Sequence, residues 1–265
     1  MLIDTHCHLY LDSFDTDRVE VLERMAAAGV AGAVLPALDA DTTAQALALC
    51  QAHPQLRFAA GWHPGYVAPL EYMRDGCFDA GAGLAQWWDQ APLPVAVGEI
   101  GLDGREGVNP MPVQIALFTA QLAFARERDI PAIVHLRDAD SEMLEALAAV
   151  PGARGVFHCF GGNPAILDYA LRHGWFISFA GNLTFPKAQA LRDSAQQVTL
   201  ELLMVETDSP FLAPQPVRGK RCEPAYVLHT ARELARLRGI PESTLHQVLT
   251  DNSSRCFGVD WTGAG

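Results

Sequence analysis

Six side chains with metal-ligand chemistry stand at the ends of short apolar runs: His6 and His8 in LIDTHCH, Glu99 in PVAVGEIG, His135 in PAIVHLR, His158 in GVFHCF and Asp208 in LLMVETD. Imidazole with carboxylate suits zinc, manganese and, less readily, magnesium. Six donors exceed the three or four that one catalytic zinc uses, and a carboxylate such as Glu99 can bridge two cations ~3.5–4 Å apart. The expectation is a centre of two divalent ions (Zn, Mn or Mg). One would sit on His6, His8, Glu99 and Asp208, the other on Glu99, His135 and His158. Such a centre does hydrolysis: it makes a bridging hydroxide available near neutral pH, with Glu99 and Asp208 as catalytic carboxylates and Asp208 able to take a proton from the attacking water.

The two-residue period of a strand puts His6 and His8 on one face and Cys7 on the other, where it packs; Cys159 points away from His158 by the same rule. Asp4 shares the parity of the two histidines one layer deeper, and Glu206 lies likewise below Asp208. Both are expected to accept a proton from a ligating imidazole and so fix its tautomer. On the substrate side, His63 in Gly-Trp-His-Pro can reach the same mouth as a proton donor or phosphate contact. Arg218, Lys220 and Arg221 follow Asp208 closely and suit an anion clamp. Phe185 can stack on a base or pack, and packing is the expectation. His53 and His229 fall within helical stretches and are read as structural.

The elements that must bring these side chains together are eight β-rich runs near residues 2, 31, 57, 94, 131, 155, 175 and 202, alternating with helical stretches. Near-continuous apolar strands separated by helices specify a parallel sheet buried on both faces. Eight units in 265 residues fit one (β/α)8 TIM barrel spanning residues 1–265 as a single domain, whose reactive side chains come from the C-terminal ends of the strands. The rival, an open doubly wound sheet, wants a Gly-rich phosphate loop after its first strand, where this chain has His-x-His. Helix starts are expected at Asp15, Asp41 and Asn163-Pro164, with a helix over about 81–90 in the Gly- and Pro-rich stretch 64–93, another over about 224–238 and a short one after Pro241.

Composition narrows the class. Hydrophobic residues are 49% and charged residues 19%, which excludes a disordered chain, and no apolar run is long enough to span a bilayer. The first ten residues lack the layout of a signal peptide, and the six scattered cysteines read as reduced thiols, so a cytoplasmic protein without a membrane partner is expected. No helix shows a spare apolar stripe, which favours a monomer. A net charge of −12 disfavours a long electrostatic footprint on nucleic acid.

Taken in order, IDTHCH, GEIGLD, VHLRDA, FHCFGG, ETDSP and RGKRCEPAYV resemble the TatD-related DNase family across nearly the whole chain. The resemblance implies a barrel, divalent metals and phosphodiester hydrolysis, often as an exonuclease on DNA. It implies ligation by the same six residues and makes DNA or a small phosphodiester the expected partner. Two positions depart from the family pattern: Gly65 where many members carry a second His after His-Pro, and Cys222 where Asn is common. The Gly65 form is similar to the YjjV-like branch. The departures touch the substrate side and spare the metal ligands. A binuclear amidohydrolase or lactonase and a small-molecule phosphoesterase are the alternative enzymes, since the same centre can attack a carbonyl carbon. A metal-binding partner protein without catalysis is the alternative of another class.

Overall fold

The computed structural model describes residues 1–66, 73–74, 77–105 and 109–261. Eight strands, β1 (Leu2–Asp4), β2 (Val30–Pro36), β3 (Leu56–Ala60), β4 (Ala96–Asp103), β5 (Ala132–Arg137), β6 (Gly155–Phe157), β7 (Phe176–Phe179) and β8 (Leu203–Val205), lie in one sheet in chain order, each parallel to the next. The seam between β8 and β1 is closed just beyond both strands. The Thr5 amide donates to Val205 O at 3.2 Å, Asp208 to His6 O at 2.9 Å, and His8 to Ser209 O at 2.8 Å. The result is a nearly closed (β/α)8 barrel, as expected, with each of the eight runs in its place.

Helices α1 (Arg18–Ala27), α2 (Ala40–Ala52), α4 (Met111–Glu127), α5 (Asp140–Ala149), α6 (Pro164–His173), α7 (Gln189–Gln197) and α8 (Val227–Arg238) occupy the crossovers, with a short α3 (Ala80–Leu84) and a closing α9 (Glu242–Phe257). Asn163 caps α6 as its sequence predicts, accepting from the Ala165 amide at 2.8 Å with Pro164 at the first position. Two predicted starts move. The cap of α2 is Asp39, in a reciprocal capping box with Thr42, rather than Asp41, and α1 begins at Arg18 after a 3-10 turn at Asp12–Phe14. The helix placed near 81–90 is α3 continued by a 3-10 turn (Ala85–Asp89), and part of the stretch 64–93 lies outside the described residues. An antiparallel pair, Met73–Arg74 with Cys77–Phe78, was not anticipated. The helix after Pro241 is long, not short.

Ile3, Val34, Ala59, Ala96, Ile133, Val156 and Met204, one from each strand but β7, form their own buried cluster, closed by Cys256, Phe257 and Trp261 of the last segment. This is the barrel floor, separate from the larger core between strands and helices. Ile133, Val156 and Met204 lie two residues before His135, His158 and Glu206, so the apolar layer ends where the polar one begins. Cys7, Cys50, Cys222 and Cys256 are buried and unpaired. No helix among the described residues is long and apolar enough to cross a membrane.

Candidate metal centre

The strand ends bring all six predicted donors to one mouth. His6 and His8 stand beyond the last residue of β1, on chain held against the segment after β8, which puts both beside Asp208. Glu99 is aimed inward by an irregularity in β4, whose register against β5 shifts between Val97 and Ile100. The glycines of GEIG make that possible. A Cβ on Gly98 would lie 2.7 Å from Ile133 Cβ, and one on Gly101, at φ 150°, would lie 1.9 Å from His135 O.

The two oxygens of Glu99 face two sets of rings. Oε2 is 3.2 Å from His6 Nε2 and 3.7 Å from His8 Nε2, while Oε1 is 2.9 Å from both His135 Nδ1 and His158 Nε2. Asp208 Oδ1 closes the first set at 3.7 and 3.4 Å from His6 and His8 Nε2, which are themselves 3.2 Å apart. An ion with ligand bonds of ~2.0–2.2 Å in tetrahedral geometry holds its donors roughly 3.3–3.6 Å apart, close to the spacings of the first set. These residues could therefore hold a metal with little movement.

Partners outside the centre decide which nitrogen of each ring faces it. Burial pushes the Tyr10 hydroxyl well above its ordinary pKa, so it keeps its proton and donates it to Pro36 O at 2.8 Å. It must then accept from His8 Nδ1 at 2.7 Å, which turns His8 Nε2 to the centre. His135 Nε2 donates to Asp103 Oδ2 at 3.1 Å and His158 Nδ1 to Glu206 Oε1 at 3.2 Å, which turns Nδ1 and Nε2 respectively to the centre. His63 is set the other way. The Gly65 amide donates to its Nδ1 at 3.0 Å, so Nε2 carries the proton and faces Glu99 Oε1 at 3.6 Å. Burial lowers His63 to about 4, which keeps it neutral at pH 7, a donor to the mouth rather than a ligand.

Burial alone would raise Glu99, but the surrounding imidazoles, His158 first, and the hydrogen bond from His135 outweigh it and hold the carboxyl well below its ordinary value. Asp208 is lowered by the same contest, with His8 its hydrogen-bond partner. Both carboxylates are charged at neutral pH. Asp4 departs from expectation. Its oxygens accept from the amide and hydroxyl of Thr207 and from the His6 amide, none of them an imidazole, and burial pushes its carboxyl up to about 8. It ties β1 to β8, because strand closure brings Thr207 to it before any ring. Glu206 has the predicted partner and also accepts from the Cys159 amide at 2.7 Å. Asp103 and Tyr10 were missed, although each shares the parity of a donor on its own run, Glu99 and His8.

One member of the expected clamp is held elsewhere. Arg221 is committed to Asp17 through two bonds of 2.8 and 2.7 Å and lies over the Phe14 ring, so it pins the loop after β8 to the loop after β1. Arg218 stacks on Phe185 at 4.1 Å, and Lys220 is exposed. Phe211, three residues beyond Asp208, was not singled out. It is 54% exposed, with its ring 6.3 Å from that of His8.

Two predictions arise here. Tyr10→Phe removes the group that fixes the His8 tautomer, and metal affinity falls about 10–100-fold with the fold kept; competition against a chelator reads it, and an unchanged affinity would remove Tyr10 from the centre. Arg221→Ala lowers the melting midpoint by ~1–4 °C and leaves KM alone, the reverse of a clamp. The pH dependence follows from Asp17, whose hydrogen bond from Arg221 lowers its pKa from 3.8 to about 2. A depressed carboxyl contributes stability above its unfolded pKa and loses it as pH falls through the folded one. The gap between wild type and Arg221→Ala therefore narrows from pH 3.8 down to about 2. A constant gap would place the stabilisation elsewhere.

The sequence profile of the family described as TatD related DNase matches residues 3–258. The uncharacterized metal-dependent hydrolase YabD of Bacillus subtilis is 32% identical over 262 residues, covering 98% of this chain and 100% of the relative. The 3'-5' ssDNA/RNA exonuclease TatD of Pectobacterium carotovorum is 33% identical over 266 residues, with 97% and 99% covered. Among solved structures, YjjV, the TatD homolog of Escherichia coli, superposes with a TM-score of 0.85 at 32% identity, covering 98% of each chain.

Proposed function

This chain belongs to the TatD related DNase family and is a metal-dependent hydrolytic enzyme, and on that premise we propose that it cleaves phosphodiester bonds at the ends of DNA strands with two divalent ions. The observation that carries the reading is Glu99, whose two oxygens face two sets of rings, three of those rings being held by Tyr10, Asp103 and Glu206 with the other nitrogen turned inward. One ion would be held by His6, His8, Glu99 and Asp208, the other by Glu99, His135 and His158. When bound, they supply Lewis acidity at the phosphoryl oxygens and acidify water.

The chain's own residues do the rest. Asp208, charged and 15% exposed, is the one carboxylate of the set open to an incoming water, and it takes the proton as the water attacks phosphorus in line. His63, neutral with its Nε2 proton at the mouth, donates a hydrogen bond to a phosphoryl oxygen and stabilises charge as it develops there. Phe211 offers an exposed ring beside His8 on which a terminal base stacks. A few such contacts suffice for a strand end, which is how a protein of net charge −12 holds nucleic acid. The relative from Pectobacterium, named for 3'-5' action on ssDNA and RNA, supports the same substrate.

The test is hydrolysis of a short end-labelled single-stranded DNA by metal-stripped protein with Mg2+, Mn2+ or Zn2+ restored. Stepwise shortening that requires metal is expected. Intact DNA in every metal, with turnover of simple esters or lactones, would move the assignment to an amidohydrolase or lactonase. A further prediction concerns Phe211→Ala. It raises KM for the oligonucleotide about tenfold, as loss of one stacked base implies, and leaves hydrolysis of bis(p-nitrophenyl) phosphate unchanged in kcat. Equal KM values before and after would take the ring out of substrate binding.

A further inference from the structure

Between the C-terminal ends of β5 and β6 the mouth opens into a cavity of about 340 Å3. His158 forms part of its wall and also faces Glu99 at 2.9 Å, so the cavity adjoins the reaction centre. The β6 side is bare backbone at Gly161 and Gly162. A Cβ on Gly161 would meet nothing within 4 Å, and Gly162 holds φ 90°, a conformation that favours glycine. The volume stands at the low end of the roughly 300–1,000 Å3 of small-molecule sites, room for one nucleotide-sized group and too little for a duplex.

The opposite wall carries Arg137, two residues beyond His135 on β5 and therefore on the same side of the strand. Its side chain is exposed, and among the described residues its guanidinium has neither an ion pair nor a hydrogen bond. The acid next to it, Asp138, is drawn away to Arg105 at 2.5 Å. Asp140, also in the wall, begins α5, where the helix N-terminus offsets its charge and its oxygens suit a sugar hydroxyl. Arg221 is bound to Asp17 and Arg218 stacks on Phe185, while Arg137 stands at this cavity with its fork uncommitted among the described residues.

We propose that this cavity is the subsite for the nucleotide unit adjoining the scissile bond, with Arg137 taking its phosphate. The proposal rests on the phosphodiesterase reading above and adds where the second phosphate of the substrate goes. It makes a dinucleotide with one phosphate a poorer ligand than one carrying a second, terminal phosphate.

The test uses thymidine dinucleotides: TpT, and the same dinucleotide phosphorylated at its 5' end (pTpT) or its 3' end (TpTp). Calorimetric titration in the metal-loaded Asp208→Asn protein, where turnover is suppressed, gives each Kd. One phosphorylated form is expected to bind about tenfold or more tightly than TpT, as a charge-assisted contact implies. Arg137→Ala, with the metal content of its parent, abolishes that advantage. Arg137→Lys, which keeps the charge and loses the fork, retains part of it. If neither phosphorylated form binds more tightly than TpT, or the advantage survives Arg137→Ala, the subsite is wrong. Hydrolysis of the same dinucleotides by wild type is scored separately. An Arg137-dependent advantage without cleavage in any metal leaves the subsite standing and removes the phosphodiesterase reading instead.

Discussion

Asp208→Asn lowers kcat by about 10²–10⁴-fold, the contribution of a positioned general base, with the circular dichroism spectrum and melting curve of the wild type. The fold is expected to survive for reasons visible in the backbone. Asp208 sits at φ 56°, a left-handed conformation that Asn tolerates as readily as Asp. The amide and carbonyl that hold it, donating to His6 O and accepting from the Phe211 amide, each at 2.9 Å, belong to the main chain and are untouched. What Asn removes is the negative charge 3.7 and 3.4 Å from His6 and His8 Nε2, and with it the acceptor for the water's proton. Full turnover in this variant would place the base elsewhere in the mouth.

Glu99→Gln has the larger effect on the centre itself. Glu99 is 3% exposed, and its two oxygens face both sets of rings, so on the two-ion proposal the neutral amide weakens both sites at once. One amide nitrogen also replaces a carboxylate oxygen and turns an acceptor into a donor toward either His6 or His158. Metal per chain, by atomic absorption after dialysis, is expected to fall by more than half, and activity by about 10³-fold or more even in added metal, on the scale of losing a group from a catalytic unit. Retention of one full equivalent would mean that Glu99 serves one set of rings alone.

The eight strands, and the meeting of the six chosen side chains at one mouth, were legible from sequence because both follow from local pattern. Apolar runs of strand length mark the barrel, and a polar residue that interrupts such a run at its C-terminal end has few places to go but the mouth. The partners of those donors were legible only in part. Glu206 was found by strand parity, since it stands two residues before Asp208, and Asp103 and Tyr10 lay open to the same rule. Asp4 shows the limit of that reasoning. Its parity is right, but its partner is Thr207, 203 residues away, and no local spacing discloses which side chain strand closure will deliver. Arg221 failed for the same reason, because Asp17, 204 residues away, reaches it before any substrate does. Cations counted along a sequence are candidate clamps; their acids arrive from elsewhere in the fold.

The closure of the barrel has a consequence in time as well as in space. His6 and His8 precede Asp208 by some two hundred residues in the chain, and the hydrogen bonds that align them run across the seam between β1 and β8. A contact separated by some two hundred residues is among the last that a growing or refolding chain can make, since each such loop costs entropy to close before it gains anything. A chain whose eighth strand is not yet in place therefore has its hydrolytic centre incomplete. Activity requires the eighth strand to dock on the first, since that docking brings Asp208 to His6 and His8.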